Sequence, residues 1–356
     1  MTGGAGDGFL YSQGLLVIPR IPLTLTLRQA RRWLPLIVGL ALMCLMVWAA
    51  DPLKLAGAVR GFDWRFLLPL TLSYFLYLAF RSARWHLLMR PINAPNSWTD
   101  SLLLFCAAQA AVLVPAGQFL LPVLQKSQHG TLIRRSAATV LVQEVMFGLL
   151  VLPAALPSIL GYQVGGWFLL AAFLISAGAG ALILHDGISN GCFFVIDHLP
   201  FIGHHCPSLR ELRQHVVTVA NTPEAILGSA FDLLAIGAAG TGFYLALMGL
   251  GQAHIGWIGA MGTYAFGNAV ATLSALPGGL GANEDASTAV LGHLGLAAAP
   301  AAAATLIFRV MTLLLGTLLG WGVLLLCRER FNMAGPLSVL AATRHGAREA
   351  EGACNG

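Results

Sequence analysis

The sequence predicts an all-α polytopic membrane protein. The expected fold is a bundle of about eight transmembrane helices in two related halves, with segments that are re-entrant or broken by proline and glycine. Three observations predict this fold class. Hydrophobic residues are 57% of the 356 residues and charged residues only 10%, which is outside the range of soluble domains. Apolar stretches of about 20 residues, the length that a bilayer core requires, recur along the chain. Breaks of similar composition interrupt both halves.

The elements follow in order from these apolar stretches. Residues 1–32 carry four arginines and one acid, and we expect a cytoplasmic or interfacial arm there. A transmembrane domain is predicted over 33–327, in halves 33–184 and 225–327 that the mixed loop 185–224 joins. The eight predicted spans are 33–50, 66–82, 101–121, 136–160, 164–184, 225–250, 257–277 and 301–327.

The distribution of positive charge orients the domain. The net charge of +5 comes from arginines at the ends of apolar stretches and in the terminal segments, which favours membrane anchoring over nucleic-acid binding. With eight spans, the predicted inner segments hold 11 Lys and Arg residues and the outer loops hold 8. Because cytoplasmic loops are enriched in these residues, both termini, including the polar tail 328–356, are predicted to be cytoplasmic. The predicted location is the inner (cytoplasmic) membrane.

Two breaks suggest an internal repeat. Span three runs into Pro115-Ala116-Gly117-Gln118, and span seven runs into Pro277-Gly278-Gly279-Leu280-Gly281; the prolines are 162 residues apart. Broken segments at corresponding positions of two halves indicate the substrate site of a transporter. The span count puts both breaks on the same side, so the repeat is either parallel or contains a re-entrant segment. The candidate site residues of the breaks are Pro115, Gly117, Gln118, Pro277, Gly278, Gly279 and Gly281.

Two carboxylates directly follow the second break. A helix that begins near Asn283 would place Glu284 and Asp285 in its first turn, where they suit the helix dipole, and Asn283 could cap it. In the functional alternative, a carboxylate faces a polar cavity and binds a headgroup or a proton. Both alternatives remain open from the sequence.

Arginines at membrane depth are the other candidates. Arg309 lies deep in span eight and needs a partner, for which Glu144, Glu284 and Asp232 are available. It either locks two helices together or binds a lipid phosphate, which a guanidinium contacts with two hydrogen bonds. Arg81 and Arg84, at the end of span two, are interpreted as a snorkelling helix end anchored by tryptophan, with a headgroup-phosphate site as the alternative.

No pattern predicts catalysis, a metal or a cofactor. The histidines of the 185–215 segment (His185, His198, His204, His205, His215) lack a standard zinc-ligand spacing. The sequence also lacks a phosphate-binding loop, an HExxH motif and a GxSxG motif. We therefore expect a protein that is not an enzyme.

These residues carry a resemblance to a known family. The chain resembles the flippase-like integral membrane family named after the transmembrane region of lysylphosphatidylglycerol synthase. The resemblance covers about 35–327 and rests on Arg81-x-x-Arg84-Trp85, Val114-Pro115-Ala116-Gly117-Gln118, Thr139 to Leu150, Leu276-Pro277-Gly278-Gly279-Leu280-Gly281-x-x-Glu284, and Arg309. The family's first break usually carries an Arg that is missing here, and its Glu-Arg pair in span four is Gln143-Glu144 in this chain. We therefore weight Glu284 and Arg309 above Gln118 and Glu144.

The resemblance implies that the protein translocates or binds a lipid, such as a phospholipid, a hopanoid or a polyprenyl-linked glycolipid, through a polar groove. The alternatives are a membrane-embedded enzyme or an accessory subunit in lipid or envelope-glycolipid synthesis, and a structural partner of another membrane protein. A homo-oligomer is possible under each. We expect no aminoacyl-transfer domain and hence no lipid aminoacylation.

Overall fold

The structure, a computed structural model, describes residues 37–93, 96–113, 117–160, 163–187, 189–190, 206–274 and 276–331. Regular structure in these ranges is helical, without strands. The principal helices are α1 (Ile37–Ala49), α2 (Pro52–Arg60), α3 (Leu67–Met89), α4 (Trp98–Ala108), α5 (Leu120–His129), α6 (Ile133–Ile159), α7 (Gln163–Leu184), α8 (Cys206–Ala220), α9 (Pro223–Gly249), α10 (Gly256–Ser274), α11 (Ala282–His293) and α12 (Ala298–Leu326).

Four of these helical segments are long and apolar enough to cross a membrane: Trp64–Met89 (which contains α3), α6, α9 and α12. The pair α1 and α2 gives a fifth candidate, although the chain bends by 85° between the two helices. These segments coincide with five predicted spans, and α7 coincides with a sixth, 164–184. The predicted polytopic helical bundle is therefore confirmed. The remaining two predicted spans are not simple crossings.

The predicted span 101–121 is wrong as a single crossing, because the chain turns back inside it. α4 ends at Ala108, and α5 begins at Leu120 after short 3₁₀ turns on either side of the break. At the open end, the side-chain amides of Asn96 and Gln125 exchange two hydrogen bonds of 2.8 Å. α4, the break and α5 thus form a re-entrant hairpin, hairpin 1, whose two ends lie side by side.

The predicted span 257–277 is likewise one arm of a hairpin. Gly267, in the middle of α10, packs against Asn283 and Ser287 of α11. The side chain of Leu294, just after α11, packs beside Gly259 near the start of α10. α10, the break and α11 therefore form a second re-entrant hairpin, hairpin 2.

The two hairpins open on opposite faces of the bundle. α6 begins directly after hairpin 1 and ends beside hairpin 2, where Leu160 O lies 3.3 Å from Nε2 of His293. α12 begins directly after hairpin 2 and ends beside hairpin 1, where Ser127 donates to Phe331 O and Arg330 lies 3.5 Å from Asp100. Each hairpin is therefore joined to the other face by one crossing helix.

The repeat is inverted. The order of long helix, hairpin and long helix occurs twice, as α3, hairpin 1 and α6 and as α9, hairpin 2 and α12. Leu120 and Ala282, which begin the second arms of the two hairpins, are 162 positions apart. The hairpin tips meet inside the bundle, where the Val112 carbonyl lies 3.2 Å from the point that a Cβ on Gly278 would occupy. The prediction that both breaks lie on one side is therefore wrong: the two hairpins enter from opposite faces, and their tips meet between these faces.

The hairpins also change the expected charge distribution. We call the face with α8 and the open end of hairpin 1 the α8 face, and the face with α2 and the open end of hairpin 2 the α2 face. Of the described Lys and Arg residues, the α8 face carries Arg90, Lys126, Arg134, Arg135, Arg210, Arg213, Arg328 and Arg330, and the α2 face carries Lys54, Arg60 and Arg65. The predicted topology put Arg90 inside and five other members of the first group outside: Lys126, Arg134, Arg135, Arg210 and Arg213. That separation is wrong, because hairpin 1 does not cross the membrane and all five lie on the same face as Arg90.

Candidate functional site

A polar cavity of about 530 Å³ lies where the two hairpin tips meet. Its lining comes from α3, α6, α9, α12 and both hairpins, so the two halves of the repeat contribute jointly. Volumes of this size are typical of small-molecule sites. The cavity is therefore the candidate site.

The break in hairpin 2 is non-helical, as predicted. Pro277–Gly279 form a single 3₁₀ turn, and Gly278, Gly279 and Gly281 have φ values of 58°, 65° and 79°. Side chains rarely adopt this left-handed region, which explains the glycines. A Cβ on Gly279 would overlap Ala271, and one on Gly281 would overlap the Gly39 carbonyl of α1. The glycines thus permit both the turn and its close packing.

Arg309 and Glu284 meet in the interior, as predicted. Nε of Arg309 donates to Oε1 of Glu284 at 2.8 Å, and its Nη2 donates to the Gly278 carbonyl. The side chain of Glu284 is 1% exposed and that of Arg309 is 14% exposed. Arg309 lines the cavity. The guanidinium therefore ties α12 to both the first turn of α11 and the hairpin tip.

The expected role of Asn283 as a cap is wrong. Gly281 is the N-cap residue, and α11 begins at Ala282. Asn283 is buried, lines the cavity and accepts a hydrogen bond from Ser287 at 3.3 Å. Glu284 and Asp285 do lie in the first turn of α11, as expected. Asp285 is half-buried and does not belong to the cavity lining.

The interpretation of Arg81 and Arg84 as a snorkelling helix end is also wrong. Arg84 is fully buried in an ion pair with Asp232, which is itself fully buried. Arg81 bridges Glu144 at 2.8 Å and Asp232 at 3.4 Å. The sequence misled because α3 continues to Met89. Both arginines lie inside the bundle rather than at its end, and they join α3 to α6 and α9.

The acids named as possible partners of Arg309 are thus divided between two clusters. Glu284 pairs with Arg309, while Glu144 and Asp232 pair with the arginines of α3. Arg81, Glu144 and Arg309 line the cavity, and Arg84, Asp232 and Glu284 lie behind them. Both halves of the repeat therefore place a charged group of their last helix in the same cavity.

The first break is only partly described. Pro115 lies outside the described residues. Gly117 and Gln118 line the cavity, so residues of both breaks share one cavity, as predicted. Gly117 packs so closely on the Ala111 carbonyl that a Cβ would overlap it. Gln118 is exposed at the cavity edge.

The sequence analysis missed a tyrosine cluster in the cavity. Tyr74 and Tyr77 stack with ring centroids 6.0 Å apart, and Tyr264 packs edge-on against Phe308 with ring centroids 5.9 Å apart. All three tyrosines line the cavity. Tyrosine occurs six times in the chain and four of these positions fall in predicted spans, so the residue type alone did not distinguish the three tyrosines of the cavity.

The described residues of the histidine-containing segment, which include His185 and His215, do not line the cavity. His198, His204 and His205 lie outside the described residues. Within the described ranges, no group of three His, Cys, Asp or Glu side chains is placed to hold a metal ion. On α8, Arg213 contacts Asp186 at 2.7 Å, and this hydrogen bond lowers the pKa of the exposed carboxyl.

Comparison with known families supports one assignment. A family model described as the lysylphosphatidylglycerol synthase TM region matches residues 32–320. A search of curated proteins finds no match. The matched range contains both hairpins, both ion-pair clusters and every residue of the cavity lining.

Proposed function

The chain belongs to the lysylphosphatidylglycerol synthase transmembrane-region family, and we propose that it translocates a lipid, passing the polar headgroup through the central cavity. The observation that carries this proposal is a cavity that holds three charged side chains among membrane-spanning helices. Charged groups at this depth are costly and usually serve function. In this proposal the chain moves the lipid without making or breaking covalent bonds.

An opening to the side of the cavity supports a lipid as the substrate. Gln118 of hairpin 1 and Thr272 of α10 are exposed and also line the cavity. The neighbouring Leu273 is exposed and apolar. Polar side chains at the edge of an otherwise apolar surface suit a headgroup that enters sideways while its acyl chains stay in the bilayer.

The inverted repeat supports translocation over simple binding. In transporters with inverted repeats, the substrate site lies at the repeat interface, and movement of one repeat against the other exposes it to alternate faces. Here the two hairpins come from opposite faces and touch at Val112 and Gly278. Withdrawal of either tip would open the cavity towards one face only.

The excess of positive residues on one face supports a defined orientation in the cytoplasmic membrane. Eight described Lys and Arg residues on the α8 face against three on the α2 face favour a cytoplasmic α8 face. We propose this orientation for a protein of the inner membrane.

The test is translocation by the purified protein in liposomes. The probe is a lipid with a fluorophore on its acyl chain, and a membrane-impermeant reductant bleaches the fluorophore in the outer leaflet. The rate at which inner-leaflet probe becomes accessible to the reductant is recorded. The wild type should accelerate this rate above that of empty liposomes. Gln143→Leu, which removes a buried amide from the cavity lining, should slow it several-fold. Gln214→Leu, an exposed position on α8, is the matched control and should not.

A folded protein without translocation for any lipid class would overturn the proposal. An enzyme or an accessory subunit in lipid synthesis would then be the next candidate, and product analysis of lipids incubated with the protein would test it.

A further inference from the structure

We propose that the cavity selects a lipid headgroup that carries both a phosphate and an ammonium group and has no net charge. This inference rests on the proposed function and names the substrate class of the same cavity. Three observations carry it: the charge balance of the ion pairs, an uncommitted guanidinium nitrogen and an uncommitted carboxylate oxygen.

The protein charges around the cavity balance. Three arginines (Arg81, Arg84, Arg309) are matched by three acids (Glu144, Asp232, Glu284), each within an ion pair. Uncompensated charge in a low-dielectric interior is unfavourable. A headgroup with net charge would disturb this balance, whereas a zwitterionic headgroup preserves it.

Arg309 offers a donor for a phosphate. Its Nε and Nη2 are used by Glu284 and Gly278, while Nη1 has no hydrogen-bond partner in the described part of the chain. The side chain lines the cavity, where Thr312 is its neighbour one turn further along α12. Guanidinium groups suit phosphate oxygens in both geometry and charge.

Glu144 offers an acceptor for an ammonium group. Among the described residues, only its Oε1 has a hydrogen-bond partner, which is Arg81. The side chain of Glu144 is 32% exposed, by far the most accessible acid of the two clusters. The tyrosine rings of the same cavity add a second attraction, because an ammonium group is stabilised over an aromatic face. Glu144 and Arg309 come from α6 and α12, so the two ends of the headgroup would bridge the two halves of the repeat.

The experiment compares three headgroups on one acyl chain. The probes are phosphatidylethanolamine (phosphate and ammonium), phosphatidylglycerol (phosphate only) and a glucosyl diacylglycerol (neither). Binding of short-chain forms to the detergent-purified protein and translocation of acyl-labelled forms in liposomes are both measured. The wild type should prefer phosphatidylethanolamine at least tenfold over each of the other two.

Glu144→Gln is the decisive variant. Arg81 keeps Asp232 as a partner at 3.4 Å, so folding should survive, but the cavity gains one positive charge. The preference should shift at least tenfold towards phosphatidylglycerol, a gain that a purely structural role of Glu144 would not produce. Glu329→Gln removes an exposed carboxylate after α12, away from the cavity, and should leave the ranking unchanged.

The outcomes separate this inference from the proposed function. Equal rates for all three lipids, or a ranking that Glu144→Gln leaves unaltered, would overturn the inference while the translocation proposal stands. Binding and translocation of glucosyl diacylglycerol equal to those of phosphatidylethanolamine would also overturn the inference, because the phosphate would then be dispensable. No translocation of any lipid would overturn the proposed function. If the variant fails to fold, the wild-type ranking alone decides.

Discussion

Arg309 and Glu284 show how the chain keeps charge inside a membrane protein. The guanidinium has two committed nitrogens, one on the Glu284 carboxylate and one on the Gly278 carbonyl. The second carboxylate oxygen, Oε2 of Glu284, is buried without a hydrogen-bond partner among the described residues. The pair therefore connects a crossing helix to a hairpin tip, and its loss affects both.

Removal of Arg309 alone should be strongly destabilising. Breaking a buried pair leaves an uncompensated charge and typically costs about 3–5 kcal/mol. We expect Arg309→Ala to lower the melting temperature of the purified protein markedly, measured by thermal unfolding in detergent. A melting temperature within experimental error of the wild type would contradict the buried pair.

Asp232→Asn should be as severe, because it leaves Arg84 in a fully buried position without its carboxylate. The expected loss is again about 3–5 kcal/mol, measured as yield and thermal stability. The matched control is Asp186→Asn, which removes an exposed ion pair and should change stability little, because exposed ion pairs contribute little. Equal effects of the two variants would argue against burial of Asp232.

At the scale of elements, the sequence predicted the breaks and left a re-entrant segment open as an alternative, but it did not predict which spans are hairpins. The left-handed glycines of 277–281 have a local cause and a local signature, so the second break was predictable. Whether a segment folds back as a hairpin depends on contacts between residues far apart in the sequence, such as Asn96 with Gln125 and Leu160 with His293. Hydrophobicity along the chain cannot distinguish a crossing from two apolar arms of a hairpin.

The same difference between local signatures and long-range contacts explains which site residues were predicted correctly. Arg309 with Glu284 was predictable, because both are isolated charges separated by one short connection. Arg81 and Arg84 were misinterpreted because the sequence gives the helix end only approximately, and their partner Asp232 lies about 150 residues away. The tyrosines were missed because aromatic residues are common in apolar helices.

The hairpin tip should not tolerate a side chain at Gly281. Its φ of 79° and its contact with Gly39 of α1 both oppose a Cβ, at a cost of about 1–3 kcal/mol. Gly281→Ala should therefore lower thermal stability. The control is Gly292→Ala in α11, where no atom lies within 4 Å of the new Cβ. It should be neutral or slightly stabilising, since alanine favours helix.

At the scale of the whole molecule, the inverted repeat fixes the sidedness of the loops. The turn between α5 and α6 should lie on the same side of the membrane as α8 and the end of α12. Single cysteines at Arg135 and at Arg60, in a background with the native cysteines replaced, should label from opposite sides with an impermeant thiol reagent. The cysteine at Arg135 and a reporter fused at Gly356 should both indicate a cytoplasmic location. Labelling of both positions from one side would contradict the hairpin topology.

The whole molecule acts, in this account, by passing a headgroup between the two hairpin tips, beside the Arg309–Glu284 pair that joins α12 to hairpin 2. The most direct measurement is lipid translocation by the double variant Arg309→Leu and Glu284→Leu in liposomes, alongside its thermal stability. Replacing both partners of a buried pair by apolar residues is often neutral for stability, so the variant should fold like the wild type. We predict that its translocation rate falls to that of empty liposomes. A folded double variant that translocates at the wild-type rate would show that the pair is structural only and would contradict the account.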